Sequence, residues 1–404
     1  MSMLNMARNR ILRHCPPAVR LFRECRDFYL HRDSQFEKLR ADCLETVRDM
    51  RERPFAMLQA EHEQQAYDEG YPTRAHMTIE INNTCNIDCL MCKTSLSTRR
   101  KGTISSETLE SAAQQAKKHG VRYVELHTIG DPLANPRLRD VLRVFRRYGL
   151  RVGISTNGLL LYRHLDTLLE FRDVCSGIWF SIDGATPSTY EKIRAGGKWD
   201  ELLRNMELAW SRLRPGGYDI RIGMVVSADN IGEVGLFIER FRSYVRAPHS
   251  RLRFAFVSSL SPDNQYFHEV NLFRNHTALN VPCRQVVRPG AHMLVDGRVT
   301  VCSRDYDGSL VIGNLVDKPL EEILVDRPMK TLQEAHRVRE VAAYPLCQTC
   351  FLVDTRLGTL FNGLLSYLLF NHPTQRSDFY QERVDRFVQM FQHDDYSGYP
   401  TLFH

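Results

Sequence analysis

Residues 84–92, Thr-Cys-Asn-Ile-Asp-Cys-Leu-Met-Cys, decide the fold of this chain. Their three cysteines form a C-x3-C-x2-C run directly after Met77–Ile81, an apolar segment typical of a buried strand. Three thiolates on one short loop can hold three corners of a cubic iron–sulfur cluster, which otherwise takes four cysteines. The fourth iron would then be open to another ligand. A structural zinc site is the alternative, but zinc prefers four ligands and no histidine is an obvious fourth.

The run resembles the signature of the radical S-adenosylmethionine (radical SAM) enzymes. The resemblance implies that Cys85, Cys89 and Cys92 hold a 4Fe–4S cluster and that the amino and carboxylate groups of SAM chelate its open iron. One electron then cleaves the sulfonium and releases a 5′-deoxyadenosyl radical. A flavodoxin- or ferredoxin-type protein would supply that electron.

Composition limits the remaining possibilities. The 404 residues are 43% apolar and carry a net charge of +6, which does not by itself call for a nucleic-acid partner. The sequence has no long apolar span and no secretory signal, so we expect a cytoplasmic enzyme whose eleven cysteines serve metal or chemistry more than disulfides. Six arginines crowd the first thirty residues on two short amphipathic segments. They could contact a membrane, but packing on their own domain is the favoured interpretation.

The pattern along the chain predicts an α/β fold. Strand-like segments alternate with amphipathic helices such as Ser105–His119, with Ser105 as N-cap, and Pro136–Tyr148. The candidate strands are Met77–Ile81, Val121–His127, Leu150–Ser155, Ile178–Ser181, Ile220–Val226 and Leu252–Val257. Six strand–helix units predict a parallel sheet curled into a partial (β/α)6, TIM-like barrel, as the resemblance also implies.

We therefore expect four parts. Residues 1–72 form a helical extension that ends near Tyr71-Pro72, residues 73–262 the barrel, residues 263–356 an auxiliary-cluster domain and residues 357–404 a helical C-terminal segment. Chemistry in barrels of this type lies at the carboxyl ends of the strands.

Motifs resembling the family's SAM-binding segments follow successive strands. Ile129-Gly130-Asp131-Pro132 resembles the Gly-Gly-Glu-Pro segment that receives the SAM amino group, although Ile129 and Asp131 depart from it. Ser181-Ile182-Asp183-Gly184 with Arg194 resembles the Ser-x-Asp-Gly…Arg pattern that meets the SAM carboxylate and ribose. The cofactor-binding residues that the resemblance implies are Gly130, Asp131, Ser155, Asn157, Ser181, Asp183, Arg194 and Val226, with Val225 and Val226 beside the adenine.

A second cysteine group follows the barrel. Cys283-x13-Gly297-x4-Cys302 resembles the opening of a SPASM domain, and the chain adds only Cys347-x2-Cys350. Four ligands suit one fully coordinated auxiliary 4Fe–4S cluster, as in the shortened twitch version found in the aminocyclitol dehydrogenase of butirosin biosynthesis and some aminoglycoside epimerases. A four-cysteine zinc site is the alternative that this spacing permits.

Strand alternation predicts the lining of the barrel lumen. The apolar faces must meet the helices, so Glu80, Glu125, His127 and Arg221 should point inward. Either they pair with one another, or they bind a polar substrate. In the second case Glu80, Glu125 and His127 are the candidate catalytic residues, because a carboxylate or imidazole could accept the proton that an oxidised alcohol loses.

The function expected is a radical SAM oxidoreductase that removes a hydrogen atom from a small polar substrate, such as a sugar or aminocyclitol. Two-electron oxidation is the favoured outcome. Epimerisation, peptide maturation and tetrapyrrole modification are the alternatives, and an iron–sulfur scaffold without catalysis is a fourth. A scaffold would not need the segments around Gly130 and Ser181.

Overall fold

The structure is a computed structural model that describes residues 34–50, 77–92, 94–245, 251–258, 265–287 and 290–404. Residues 34–50 form a helix, α1, as expected for the N-terminal extension. The two basic amphipathic segments of the first thirty residues and the break at Tyr71-Pro72 lie outside the described residues. In the described parts of the chain, no helix has the length and apolar character needed to cross a bilayer.

Six parallel strands form the barrel wall, in the order β1 to β6 along both the chain and the sheet. This confirms the predicted fold class, with strand ends shifted by at most three residues. The strands are β1 Met77–Ile79, β2 Tyr123–Glu125, β3 Arg151–Thr156, β4 Cys175–Ser181, β5 Asp219–Val226 and β6 Arg251–Phe256.

Helices cover the outer face of this wall. Ser105 caps α2 by accepting a hydrogen bond from the Thr108 N–H at 3.0 Å, as its position before the apolar pattern predicts. The second predicted helix is present but starts two residues later than expected. The helices between the strands are α2 Ser106–Lys118, α3 Leu138–Arg147, α4 Leu161–Glu170, α5 Pro187–Ile193, α6 Trp199–Leu208 and α7 Val234–Phe241.

Three strands of the segment after the barrel join the barrel sheet, which the sequence did not predict. Strand β8 pairs in parallel with β1, in the register Met77 with Ala291 and Ile79 with Met293, so that β8, β9 and β10 extend the barrel to nine strands. A small antiparallel pair, β7 with β11, stands beside it. The elements are α8 Gln265–Val270, β7 Thr277–Leu279, α9 Arg284–Val287, β8 Ala291–Met293, β9 Arg298–Thr300, β10 Val311–Asn314, α10 Leu320–Ile323, α11 Arg327–Arg337, α12 Pro345–Gln348 and β11 Phe351–Val353.

Two C-terminal helices, α13 Thr355–Asn371 and α14 Ser377–Gln392, close the opposite side of the barrel. The Asn362 side chain accepts from the N–H of Phe254 at 2.9 Å and donates to its carbonyl at 2.7 Å, which satisfies the free edge of β6. Helix α1 packs on α13 through Phe36, whose ring lies 4.9 Å from that of Phe370.

Candidate functional site

The barrel encloses a cavity of about 240 Å³ between β2 and β6. Trp179 of β4 lies across it, and only glycine fits at position 223 of the next strand, because a Cβ there would lie 2.2 Å from the indole nitrogen. Arg253 lies over the Trp179 ring, 5.4 Å from its centroid. The polar and charged side chains lining the cavity are Tyr123, Glu125, His127, Ser155, Ser181, Asp183, Arg221 and Arg253.

The structure therefore places Glu125, His127 and Arg221 in the lumen, as strand alternation predicts. Arg221 forms an ion pair with Asp219 at 2.7 Å, so its charge is balanced at the floor of the barrel. Glu125 and His127 lie on consecutive inward positions of the same strand and its continuation.

The expectation that Glu80 lines the lumen is wrong. Its carboxylate is fully buried and receives two hydrogen bonds from Arg99, at 2.6 and 2.7 Å, and one from the Val295 N–H at 2.9 Å. Alternation did not reveal that Arg99, from the loop after Cys92, and the Val295 N–H, just after β8, occupy this carboxylate. Glu80 is thus a structural anchor, and no residue of β1 lines the cavity.

The first cysteine group lies on the loop that follows β1. Burial is the main cause that raises the pKa of the Cys85 thiol to about 12, with the nearby Asp131 carboxyl second. Two side chains contact these sulfurs. The amide of Asn157, just after β3, lies 3.6 Å from Cys85 Sγ, and a guanidinium nitrogen of Arg194, just after α5, lies 3.5 Å from Cys89 Sγ. Buried cysteines with donors beside their sulfurs suit the ligands of an iron–sulfur cluster.

Gly130 and Asp131 lie against the loop that carries the first cysteine group. Gly130 has φ +81°, and a Cβ would lie 2.7 Å from the Thr84 carbonyl oxygen. Asp131 is buried and its carboxylate accepts from the N–H groups of Leu133 and Asn157 and from the Thr156 hydroxyl, at 2.7 to 2.9 Å. Because its own chain occupies this carboxylate, Asp131 orients the turn and is not a free acceptor for an amino group.

Asp183 and Arg194 form a buried ion pair of 2.5 Å at the carboxyl end of β4. The other Asp183 oxygen accepts from the Val225 N–H at 2.6 Å, which holds β5 in place. The side chains of Ser155, Ser181 and Val225 face the cavity. Val226, expected beside the adenine, is instead buried in the core on the opposite face of β5.

The four later cysteines lie together in the auxiliary domain. Burial raises the pKa of the Cys347 thiol, and the charges of Cys283, Cys302 and Cys350 raise it further. Across the described residues, no three acidic, histidine or cysteine side chains converge closely enough for a single metal ion. Four cysteine sulfurs gathered in one place are the ligand set both of a 4Fe–4S cluster and of a structural zinc site.

The loop after Cys92 is hydrogen-bonded to the segment after Cys302. Asp307 accepts from the backbone N–H of Thr98 at 2.7 Å and from its hydroxyl at 2.8 Å. Arg99, the partner of Glu80, also donates to the Tyr306 carbonyl at 2.9 Å. Sequence reasoning missed Arg99 and Asp307. The only signal for them was the position of a charged residue shortly after Cys92 and shortly after Cys302.

Comparisons with known proteins agree with this geometry. The model of the radical SAM superfamily matches residues 79–228, and that of the SPASM iron–sulfur cluster-binding domain matches residues 283–351. Mycofactocin maturase MftC of Mycobacterium ulcerans is 25% identical over 172 residues, which are 42% of this chain and 45% of that protein. GTP 3′,8-cyclase of Synechocystis sp. is 26% identical over 161 residues, 37% of this chain and 45% of that protein.

The chain thus spans less than half the length of these curated relatives. Among solved structures, anSMEcpe with bound AdoMet has a TM-score of 0.51 at 15% identity, covering 79% of this chain and 98% of that one. SuiB of Streptococcus suis bound to S-adenosylmethionine has a TM-score of 0.51 at 15% identity, covering 68% and 72%. At such identities these likenesses establish the fold.

Proposed function

We propose that this chain, a radical SAM enzyme with a SPASM-type auxiliary domain, oxidises a small polar molecule such as a sugar or aminocyclitol by two electrons. Its family domains bind SAM, a 4Fe–4S cluster and an auxiliary iron–sulfur cluster. When bound, these groups supply a 5′-deoxyadenosyl radical and a one-electron acceptor. The residues of the chain must then hold the substrate and take up its proton.

The observation that carries the proposal is the lumen. A cavity of about 240 Å³ suits one sugar-sized molecule better than a peptide segment. Glu125 and His127 offer hydrogen-bond partners to hydroxyl or amino groups, and the Trp179 ring offers a flat apolar surface to the C–H face of a ring. Either Glu125 or His127 would accept the proton released as a C–OH group becomes C=O.

SAM would lie between the first cysteine group and the lumen. Gly130 presents its backbone there, while Asn157, Ser155, Ser181 and Arg194 surround the same end of the barrel. Asp131 and Asp183 would act by orienting this set, because their carboxylates already accept hydrogen bonds from the chain. A flavodoxin- or ferredoxin-type reductant remains part of the proposal.

Peptide maturation is the second candidate, since a mycofactocin maturase is among the relatives. Epimerisation fits less well, because it usually needs a hydrogen donor near the substrate. No cysteine is among the described residues that line the lumen.

The four-part division of the chain, 1–72, 73–262, 263–356 and 357–404, is also a proposal. The matched SPASM segment, residues 283–351, falls within the third part. The boundary near residue 262 separates the SAM-binding part from the auxiliary-cluster part. The sheet itself continues across this boundary, because β8 pairs with β1.

The test is deuterium transfer. The reconstituted enzyme, SAM and dithionite are incubated with a panel of perdeuterated sugars and aminocyclitols, and with peptides as the comparison. We expect deuterium in 5′-deoxyadenosine with one member of the small-molecule panel. In a parallel incubation with the same compound unlabelled, we expect a product two mass units lighter than its substrate. Transfer from a peptide alone, or a product of unchanged mass, would contradict the proposal.

A further inference from the structure

Arg304 points a partly buried positive charge at the auxiliary cysteine group. One of its guanidinium nitrogens lies 3.3 Å from Cys350 Sγ, and its backbone N–H lies 3.4 Å from Cys302 Sγ. The guanidinium of arginine is a permanent cation.

No carboxylate balances this cation among the residues that the structure describes. Two other arginines that are largely shielded from solvent differ, because Arg99 pairs with Glu80 and Arg356 with Asp354. Arg304 instead contacts the sulfurs of Cys350 and Cys302. This placement suits sulfurs that carry negative charge, as they do when they bind iron.

Asn280 adds a neutral donor on the same group. Its amide nitrogen lies 3.2 Å from Cys283 Sγ and 3.9 Å from Cys350 Sγ. Two side chains outside the ligand set thus direct hydrogen bonds at the sulfurs, and hydrogen bonds to sulfur are one of the factors that set the reduction potential of a cluster.

We infer that Arg304 raises the reduction potential of the auxiliary cluster. A 4Fe–4S cluster with four thiolates is a net anion, and one added electron makes it more negative. A partly buried cation a few ångströms away stabilises the reduced form more than the oxidised form. Arg304 acts through the cluster and is a positioning residue, not a catalytic one.

At the first cysteine group, the charge of the neighbouring arginine is balanced by a carboxylate. Arg194 approaches Cys89 at 3.5 Å, but Asp183 lies 2.5 Å from the same guanidinium and cancels most of its charge. The SAM-binding cluster must donate an electron, whereas an acceptor cluster must take one, so the difference has the sign that the proposed oxidation needs. The use of the cluster as acceptor rests on the proposed function; the tuning of its potential does not.

The experiment is an EPR-monitored redox titration of the reconstituted enzyme. A background in which Cys85, Cys89 and Cys92 are alanine assigns the auxiliary step. We expect Arg304→Met to weaken reduction of the auxiliary cluster at least tenfold, a downward shift of about 59 mV for one electron. Arg304→Lys should recover most of it. Arg337→Met is the matched control, because this arginine of α11 is half exposed and pairs with Glu334, so its loss should leave the potential unchanged.

Asn280→Leu supplies an independent measurement, with a smaller downward shift expected. An unmoved potential in Arg304→Met overturns the inference. If Arg304→Met fails to retain its cluster, an unmoved Asn280→Leu potential overturns it instead. A lowered potential in Arg304→Met with undiminished product yield supports the tuning and instead contradicts the proposed acceptor role. The two proposals can therefore fail separately.

Discussion

Arg99 and Glu80 form a two-pronged ion pair, at 2.6 and 2.7 Å, in which both side chains are almost completely buried. Glu80 also holds the Val295 N–H of the auxiliary domain, and Arg99 holds the Tyr306 carbonyl. The pair therefore joins β1, the loop after the first cysteine group and the auxiliary domain at one point.

Breaking this pair should destabilise the protein. Glu80→Gln leaves Arg99 as a buried, uncompensated cation, which typically costs about 3–5 kcal/mol of unfolding free energy. Glu334→Gln, in an exposed pair, should cost less than about 1 kcal/mol. Denaturant midpoints of the two variants test this. If Glu80→Gln retained full stability and lost only product formation, Glu80 would be catalytic after all.

Gly130→Ala should disrupt the first cluster site. Its Cβ would collide with the Thr84 carbonyl oxygen next to Cys85, so the loop must move. Gly120→Ala is the matched control, since Gly120 has a similar φ of +75° with nothing within 4 Å of the added carbon. The control should pay only backbone strain, about 1–2 kcal/mol. Iron content and SAM binding measure the difference, and equal iron in both variants would contradict the role of Gly130.

Anaerobic reconstitution should give about eight irons per chain, from two 4Fe–4S clusters. Replacing Cys85, Cys89 and Cys92 with alanine should leave about four. Iron and zinc analysis with Mössbauer spectroscopy checks both numbers. Zinc at the second group, or full iron in the triple variant, would show that the cysteine groups are wrongly assigned.

Arg194→Ala should weaken SAM binding by roughly 2 kcal/mol, about 30-fold, because the SAM carboxylate would lose a charged donor and Asp183 would lose its partner. Lys192→Ala on the same helix is the control, since this exposed lysine pairs with Asp229 and should leave the dissociation constant unchanged. Equilibrium dialysis with labelled SAM measures both. Equal affinities would remove Arg194 from the SAM site.

Cys347→Ala should still cleave SAM but fail to complete turnover, because its substrate radical lacks the nearby acceptor. The ratio of oxidised product to 5′-deoxyadenosine, measured in one assay, should fall at least about tenfold. Cys175→Ala, a buried cysteine at the start of β4, is the control and should keep the ratio. A normal ratio in Cys347→Ala would assign the second cluster a structural role.

The sequence predicted the barrel well because apolar residues recur along each strand segment and recognisable turn motifs follow several of them. Both cysteine groups were also predictable, since their ligands are close in sequence or follow a known spacing. These signals are local, and β1 to β6 appear in the order that the chain gives them.

What could not be predicted depends on contacts between distant segments. Glu80 has the alternation of a lumen residue, but its environment is set by Val295, 215 positions away, and by a loop that folds back over it. The pairing of β8 with β1 has no local signature, because three-residue strands carry too little pattern. The position of Asp131 suggested that its carboxylate receives the SAM amino group. Only the three donors of the chain itself, which already occupy this carboxylate, showed otherwise.

The pairing of β8 with β1 also has a consequence for truncated forms of the chain. A fragment ending near residue 262 would leave β1 as an edge strand with its backbone unpaired on one side. Met77 and Ile79, which are fully buried in the whole chain, would then lie beside solvent. An exposed apolar edge recruits the same edge of another copy. The barrel expressed alone should therefore self-associate, so its second domain also serves as its protection against aggregation.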